Sequence, residues 1–167
     1  MSDPRLAYRI EARPLERVLE FAAYAWPPQG CAAADWPLAP GALRRDAQQQ
    51  PALLHFAPCR WLAPAPGPEL RRILEGAADD GAGSLLDASG KWVRVDIEGP
   101  GAARLLACTI DIEAVLSKRD CAAVTLFDCP TVITRTAQGF RLWVQASYAT
   151  HLLAAARQCG AGLGTGA

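Results

Sequence analysis

The stretch KWVRVDIEGPGAARLLA, residues 91–107, decides the fold class. Its first half alternates between apolar and polar side chains, which is the period of a β-strand with one buried face. The apolar side holds Val93, Val95 and Ile97, and the other side holds Trp92, Arg94, Asp96 and Glu98. The glycines and proline at 99–101 end the strand, and residues 102–107 are predicted to be helical. This is the pattern of a half-buried antiparallel strand followed by a short helix.

The elements on either side of this stretch extend the pattern. Downstream, a linking segment at 110–116 precedes three predicted strands at 122–127, 131–135 and 140–144, and a last helix at 147–158 that Ser147 caps and Gly160 ends. Upstream, residues 53–56 and 60–63 are predicted to be two short strands or one bent strand, and residues 84–88 a further strand. A helix is predicted at 66–76 and a tight hairpin turn at Ser89-Gly90. Helices do not follow every strand, so the order predicts an α+β fold rather than a doubly wound parallel sheet. We expect a mostly antiparallel sheet with helices on one face.

The first 50 residues have a different pattern. A short strand is predicted at 6–10 and a helix at 14–24, because Leu15, Val18, Leu19 and Ala22 have helical spacing. Residues 26–50 are interpreted as an irregular connector, since prolines and glycines are followed by a run of glutamines. The predicted organisation is therefore an N-terminal segment and connector at 1–50, an α+β domain at 51–159 and a flexible tail at 160–167.

The same patterns predict the core of the domain. Its expected members are Val93, Val95, Ile97, Leu105, Leu106, Leu126, Leu142 and Val144. All lie on the apolar side of a predicted strand or helix.

Length and charge exclude several classes of protein. The chain has 167 residues, and its 17 Lys and Arg balance its 17 Asp and Glu. A nucleic-acid binder or a polybasic membrane-surface protein carries a basic excess, so neither partner is expected. No stretch has the length and apolarity of a membrane span, and Glu11, Glu16 and Glu20 interrupt the N-terminal region where a signal peptide needs an apolar core. We expect a cytoplasmic protein.

Few residues are candidates for catalysis or metal binding. The six cysteines have irregular spacing, which favours small buried side chains over zinc ligands. Cys121 follows Lys118 and Arg119, cations that lower the pKa of a neighbouring thiol, yet no histidine is placed to activate it. His55 in an apolar strand is expected to be structural, and His151 to be solvated. Dinucleotide, P-loop, nucleophile-elbow and zinc-protease motifs are absent, and the terminal GAGLGTGA lacks a preceding strand.

The region from about residue 52 to residue 158 resembles the gamma subunits of heterotetrameric sarcosine oxidases. More broadly, it resembles the folate-binding fold of the glycine-cleavage aminomethyltransferase. The residues that carry the resemblance are Asp87, Ser89, Gly99, Pro100, Ala102, Leu105, Leu106, residues 110–112, Cys121, Phe140, Leu142, Val144 and residues 147–149. Two departures are the missing proline-glycine pair between Ile112 and Cys121 and the absence of a KGCYxGQE-type motif, of which only Lys118 and Cys121 remain.

The resemblance implies an aminomethyltransferase-like or ferredoxin-like α+β fold and an accessory role. Such a subunit would belong to a flavoenzyme complex that oxidatively demethylates a secondary amine such as sarcosine. The chain itself would carry no catalytic residue, cofactor or metal. Flavin, nicotinamide dinucleotide and tetrahydrofolate would lie in large partner subunits.

Two further readings stay open at this point. A free-standing folate-binding or aminomethyl-transfer module would need a carboxylate for the pterin and basic side chains, such as Arg135 or Arg141, for the glutamate tail. The second alternative is a scaffold protein that binds an unrelated partner.

The residues also suggest where a partner would bind. Period-2 alternation places Trp92, Arg94, Arg141 and Trp143 on the side of the sheet away from the core, and tryptophan and arginine are enriched at interface hot spots. We therefore predict a partner-binding surface there. The alternative is that residues 1–50 fold over this side and bury both tryptophans.

Overall fold

The structure is a computed structural model of the chain, and it describes residues 7–15, 17–25, 36–37 and 39–162. Within these residues the strands are β1 Arg9–Pro14, β2 Val18–Ala23, β3 Leu43–Arg45, β4 Pro51–Ala57, β5 Arg60–Pro64, β6 Gly83–Asp87, β7 Trp92–Glu98, β8 Cys121–Leu126, β9 Cys129–Thr136 and β10 Gly139–Gln145. The helices of the same residues are α1 Pro68–Asp79, α2 Ala102–Leu106, α3 Ile112–Leu116 and α4 Ala146–Gly162. The α+β class is as predicted, with two antiparallel sheets.

The chain divides into two compact units, and neither boundary falls at residue 50. One unit combines residues 1–14 with residues 91–167, and the other is residues 15–90. This differs from the predicted organisation. The reason is that the first 50 residues supply strands to both units instead of forming a segment apart.

The first unit is a five-stranded antiparallel sheet with helices against one face. The strand order is β1-β7-β10-β9-β8, and α2 and α4 pack against its central strands. Buried side chains of Val95, Ile97, Leu142 and Val144 face the helices. The predicted core is confirmed except at Val93, which is only half-buried. The alternation of apolar and polar side chains in β7 therefore places one face of this strand in the core of the unit.

The second unit has a five-stranded sheet in the order β3-β4-β5-β2-β6, with α1 packed against β6. Its core contains a cluster of aromatic side chains. The rings of Phe21 and Trp36 meet edge to face at a centroid distance of 5.5 Å, and Trp61 lies 5.5 Å from Trp36. The indole Nε1 of Trp61 donates a hydrogen bond of 3.0 Å to the carbonyl of Pro37.

The helix predicted over residues 14–24 is wrong, because β2 lies there. Strand β2 is an interior strand of its sheet, between β5 and β6, and its first four residues are buried on both faces. Val18, Leu19 and Phe21 are buried, and so is the carboxylate of Glu20, which accepts a hydrogen bond of 3.1 Å from Arg60. A strand that is buried on both faces has no alternation to reveal it, so its apolar run also fits a helix.

Three smaller predictions also need correction. Ser89-Gly90 is not a hairpin turn, since β6 pairs with β2 while β7 pairs with β1 and β10. The predicted connector contains a strand, β3, although residues 26–35 lie outside the described part. Gly160 does not end the last helix, which continues to Gly162.

Candidate functional site

Cys121 is not an activated thiol. It begins β8 with no exposed surface, and burial together with the neighbouring Asp120 raises its pKa to about 12, against a smaller lowering effect of Arg119. A thiol with this pKa is protonated at neutral pH and is a poor nucleophile. Cys129 is likewise buried, as expected for small core side chains. Cys31 lies outside the described residues.

The histidines have the environments expected from the sequence. His55 is 1% exposed and stacks on Trp61, with ring centroids 4.4 Å apart and planes inclined by 18°. It is therefore part of the aromatic core of the second unit. His151 is exposed on α4.

Charged side chains collect on the face of the first sheet opposite its helices. We call them the arginine–carboxylate ladder, and its members are Arg9, Glu11 and Arg13 on β1, Arg94 and Asp96 on β7, and Arg141 on β10. The register places Asp96 opposite both Glu11 and Arg141, so the three strands bring these groups side by side. Glu98 of β7, which lies opposite Arg9 on the same face, adds a third carboxylate, so the four guanidinium groups exceed the carboxylates of this face by one.

Asp96 is the centre of the ladder. The Nε of Arg141 donates to its Oδ1 at 2.7 Å, and the Nε of Arg94 donates to its Oδ2 at 2.8 Å. Burial alone would raise the pKa of Asp96, but the hydrogen bonds from Arg94 and Arg141 outweigh it and hold this pKa below its ordinary value. At neutral pH the carboxylate is thus ionised and both of its oxygens are occupied. It is suited to holding the strands together rather than to proton transfer.

The outer part of the ladder is open to solvent. Glu11 accepts hydrogen bonds from Arg9 at 2.7 Å and from Arg13 at 3.0 Å. The hydrogen bond from Arg13 and the charges of both arginines lower the pKa of Glu11. Both arginines are more than half exposed. They extend the charged face along β1, which is an edge strand of its sheet.

The tryptophans of the predicted partner-binding surface are not exposed in the single chain. Trp92 is 6% exposed and Trp143 is 1% exposed, whereas Arg94 and Arg141 are occupied by Asp96. The period-2 assignment of the four residues to one side was sound, but the exposure inferred from it was wrong. Alternation reports which side of a strand a residue occupies and gives no information on what covers that side.

Sequence reasoning placed Asp96 on the polar side but missed its role. The available signal was an Arg94-x-Asp96 pair in a strand facing a second arginine, which is the spacing of same-face ion pairs in a sheet. Arg141 could be identified as a partner of Asp96 only once the pairing of β7 with β10 was known.

Among the residues that the structure describes, each unit has a cavity that opens on its surface. The cavity of the first unit has a volume of about 670 Å³ and is lined by Ala7, Tyr8, Arg9, Glu98, Gly99, Pro100 and Gln138. That of the second unit has a volume of about 190 Å³ and is lined by Arg17, Leu19, Arg71, Glu75, Leu85 and Asp87. In the described residues no three potential metal ligands lie together, and no helix there is long and apolar enough to cross a membrane.

Comparison with solved structures finds 23 matching chains. One is a chain of the heterotetrameric sarcosine oxidase from Corynebacterium sp. U-96, solved in complex with pyrrole 2-carboxylate. The alignment covers 99% of this chain and 90% of that chain, with a TM-score of 0.80 and 22% sequence identity. The likeness is one of fold. No family model matches the sequence, and no curated protein matches it.

Proposed function

We propose that the chain is a non-catalytic, gamma-like accessory subunit of a sarcosine oxidase-type flavoenzyme complex that oxidatively demethylates a secondary amine. One observation carries the proposal: the whole chain has the fold of a chain of such a complex, and that chain is only slightly longer. A subunit-sized match of this kind favours an equivalent place in an assembly over a fragment shared with unrelated proteins.

The chemistry of the side chains supports an accessory role. Cys121 is protonated and buried, and Asp96 is ionised with both oxygens engaged. The run of motif residues from Asp87 to Ala149 that resembles the gamma subunits is independent support. The flavin, the nicotinamide dinucleotide and the tetrahydrofolate of the reaction are proposed to lie in large partner subunits, and the complex to be cytoplasmic.

Native purification tests this proposal. An affinity tag on the chain, expressed in its source organism, should recover flavin-containing polypeptides in fixed stoichiometry. The recovered complex should consume sarcosine and release hydrogen peroxide. Recovery of the chain free of flavoprotein, under conditions in which it is fully folded, would contradict the proposal.

The isolated chain gives a second measurement. Expressed alone, it should be colourless, because the sequence has no glycine-rich turn between a strand and a helix to hold a dinucleotide phosphate. Absorbance at about 450 nm that survives desalting would place flavin in this chain and overturn the assignment of cofactors to its partners.

The cavity of the first unit favours one second candidate, a free-standing folate-binding module. It combines one carboxylate, Glu98, with one guanidinium, Arg9, beside the apolar wall of Pro100. A carboxylate can pair with the amino-pyrimidine edge of a pterin, and an arginine with the glutamate tail. Titration calorimetry with 5-formyltetrahydrofolate separates the candidates, since binding by the isolated chain that Glu98→Gln abolishes would favour the module.

A further inference from the structure

Strand β6 forms one edge of the sheet in the second unit, and β2 is its one neighbouring strand among the described residues. Two backbone hydrogen bonds flank the β2–β6 ladder. The N–H of Ala88 donates to the carbonyl of Val18 at 2.9 Å, and the N–H of Tyr24 donates to the carbonyl of Ala82 at 3.1 Å. Because hydrogen-bonded pairs alternate with non-hydrogen-bonded pairs along an antiparallel ladder, these two bonds determine which residues of β6 bond to β2.

The backbone groups of alternate residues in β6 point in opposite directions. Those of Ser84 and Leu86 bond to β2, and those of Gly83, Leu85 and Asp87 point away from it. Within the described part of the chain, no strand pairs with these outward groups. They form a row of donors and acceptors that repeats every two residues, about 6.8 Å along the strand, and another extended polypeptide has the same repeat.

The other sheet edges are less suited to strand addition. Strand β1 has the exposed cations Arg9 and Arg13 and ends at Pro14, and β3 has three residues and a shift in register. Cations, proline and irregular pairing are the features by which proteins protect their sheet edges. Strand β8 exposes only the small side chains of Ala123 and Thr125. Strand β6 has a regular register and contains neither a cation nor a proline.

The two faces of β6 differ beside this edge. Leu86 is 54% exposed on one face, which makes it one of the few exposed large apolar side chains among the described residues. On the other face, Leu85 and Asp87 line the cavity of about 190 Å³ together with Arg17. A strand added to this edge would therefore place alternate side chains against an exposed leucine and at a charged cavity.

The charges that line the cavity are unequally occupied. Glu75 accepts a hydrogen bond of 2.6 Å from the Nε of Arg71, and the Oδ1 of Asp87 accepts one of 2.9 Å from the N–H of Ser89. Arg17 is exposed and interacts with Asp87 by charge, but no hydrogen bond or ion pair joins its guanidinium to another described residue. The cavity can thus accept one further carboxylate, at Arg17.

We propose that the free edge of β6 binds an extended segment of the flavoprotein partner, which adds to this five-stranded sheet as a further strand. The segment carries an apolar side chain beside Leu86 and, on its other face, an aspartate or glutamate whose carboxylate binds Arg17. This inference rests on the proposed function, because it assigns to the partner subunit a specific place on this chain.

The size of the edge favours a partner subunit over a second copy of the chain. Strand β6 has five residues, whereas a stable interface takes about 20–30 residues from each side. Two copies that met through β6 alone would fall far short of this size. A strand contributed by a subunit of a complex can form one part of a larger interface, and the fold matches a chain of such a complex over 99% of this chain.

Hydrogen exchange tests the proposal directly. The tagged full-length chain is purified with its flavoprotein partner, and exchange in the complex is compared with exchange in the isolated chain by mass spectrometry at residue resolution. The amides of Leu85 and Asp87 should exchange rapidly in the isolated chain and slowly in the complex. The amide of Leu86 bonds to β2 and should be protected in both samples, so it serves as the internal control.

Substitutions on the two faces of β6 give a second measurement. Leu86→Lys should abolish recovery of the flavoprotein, because a lysine on an edge strand opposes strand addition. Tyr148→Lys makes a matched change at an exposed residue of the first unit and should leave recovery unchanged. Arg17→Gln should reduce recovery, whereas Arg72→Gln, which is exposed on α1 and does not line the cavity, should not. Thermal unfolding of each isolated variant verifies its fold, and if Leu86→Lys does not fold, Leu86→Ser replaces it.

The outcomes separate this inference from the proposed function. If the unsubstituted chain recovers no flavoprotein, both are overturned. If the complex forms but the amides of Leu85 and Asp87 exchange as in the isolated chain, or Leu86→Lys leaves recovery unchanged, this inference alone is overturned. Dimerisation of the isolated chain that Leu86→Lys abolishes, measured by sedimentation, would assign the edge to a second copy and would also overturn it.

Discussion

The packing of α4 against Tyr8 leaves no room for a side chain at Gly160. A Cβ built at this position would lie 1.7 Å from the hydroxyl oxygen of Tyr8 and 2.7 Å from its Cζ. The ring of Tyr8 is itself buried, so it would have to shift to make room for the added methyl group. We therefore expect Gly160→Ala to lower the free energy of unfolding by about 1–3 kcal/mol through overpacking, as measured by urea denaturation.

A second glycine of the same helix is the control for this substitution. A Cβ at Gly162 would meet nothing within 4 Å, so Gly162→Ala should be neutral or slightly stabilising, because alanine favours the helix. Tyr8→Phe in the Gly160→Ala background should recover part of the loss, since it removes the nearest atom. An equal effect of the two alanines would show that Tyr8 does not pack as described.

Val95 tests the buried face of β7. It has no exposed surface, whereas Val93 on the same side of the same strand is half-buried. Val95→Ala should cost about 1–3 kcal/mol of unfolding free energy, the sum of lost burial and a residual cavity. Val93→Ala removes the same atoms at the end of the strand and should cost clearly less. A larger loss for Val93→Ala would mean that the centre of the core lies elsewhere.

At the scale of the element, one carboxylate connects β7 to β10. Asp96→Asn removes the negative charge that Arg94 and Arg141 share and leaves one amide oxygen as an acceptor between them. We expect Asp96→Asn to lower the unfolding free energy at pH 7 by about 2–4 kcal/mol, less than for a fully buried pair because Arg94 is partly solvated. Glu11→Gln, in the exposed part of the same ladder, should change stability much less.

The pH dependence of this loss identifies its cause. The pKa of Asp96 in the folded chain is below its ordinary value of 3.8, so its charge stabilises the fold above that pH. This contribution is lost as the pH falls through the lower pKa of the folded state. The stability difference between the native chain and Asp96→Asn should therefore be constant near neutrality and shrink below pH 3.8. A difference that persists unchanged in acid would point to the shape of the amide instead of the charge.

The elements that were predictable from the sequence are those whose two faces differ. Strands β7 and β10 alternate, and this pattern predicted the bounds of β7, the bounds of β10 to within one residue at each end, and their core residues except Val93. Strand β2 is covered on both faces and was mistaken for a helix. Of the arginine–carboxylate ladder, the sequence predicted only that Arg94 and Arg141 lie on the same side of the sheet. The sharing of one carboxylate between two strands depends on the register of the strands, which the local sequence does not specify.

At the scale of the whole molecule, the residues of the second unit lie in the sequence between β1 and β7, which are paired strands of the first unit. Strand β1 ends at Pro14, which lies opposite Val93 near the start of the antiparallel strand β7. The chain thus leaves the first sheet and returns to it at adjacent positions, about 5 Å apart as neighbouring strands are. No local signal marks such an insertion, which explains why a boundary at residue 50 was predicted instead.

This topology predicts that the first unit can fold without the second when β1 and β7 are joined by a short turn. Replacing residues 17–90 by Asn-Gly would convert β1 and β7 into an ordinary hairpin, because two-residue turns of this type suit antiparallel neighbours. The variant keeps Lys91, whose carbonyl accepts a hydrogen bond from the backbone N–H of Ala146. It should fold, with a cooperative thermal transition followed by circular dichroism and the far-ultraviolet signal of a mixed helix and sheet protein.

A chain that begins at residue 51 is the informative comparison. It is longer than the joined variant, yet it lacks β1 from one sheet and β2 and β3 from the other. Loss of β2 removes an interior strand, so β5 and β6 would each lose a neighbour together with the buried side chain of Phe21. We expect this chain to show no cooperative transition. If it unfolds cooperatively while the joined variant does not, then residue 50 is the folding boundary, and the division into residues 1–14 with 91–167 and residues 15–90 does not describe how the protein folds.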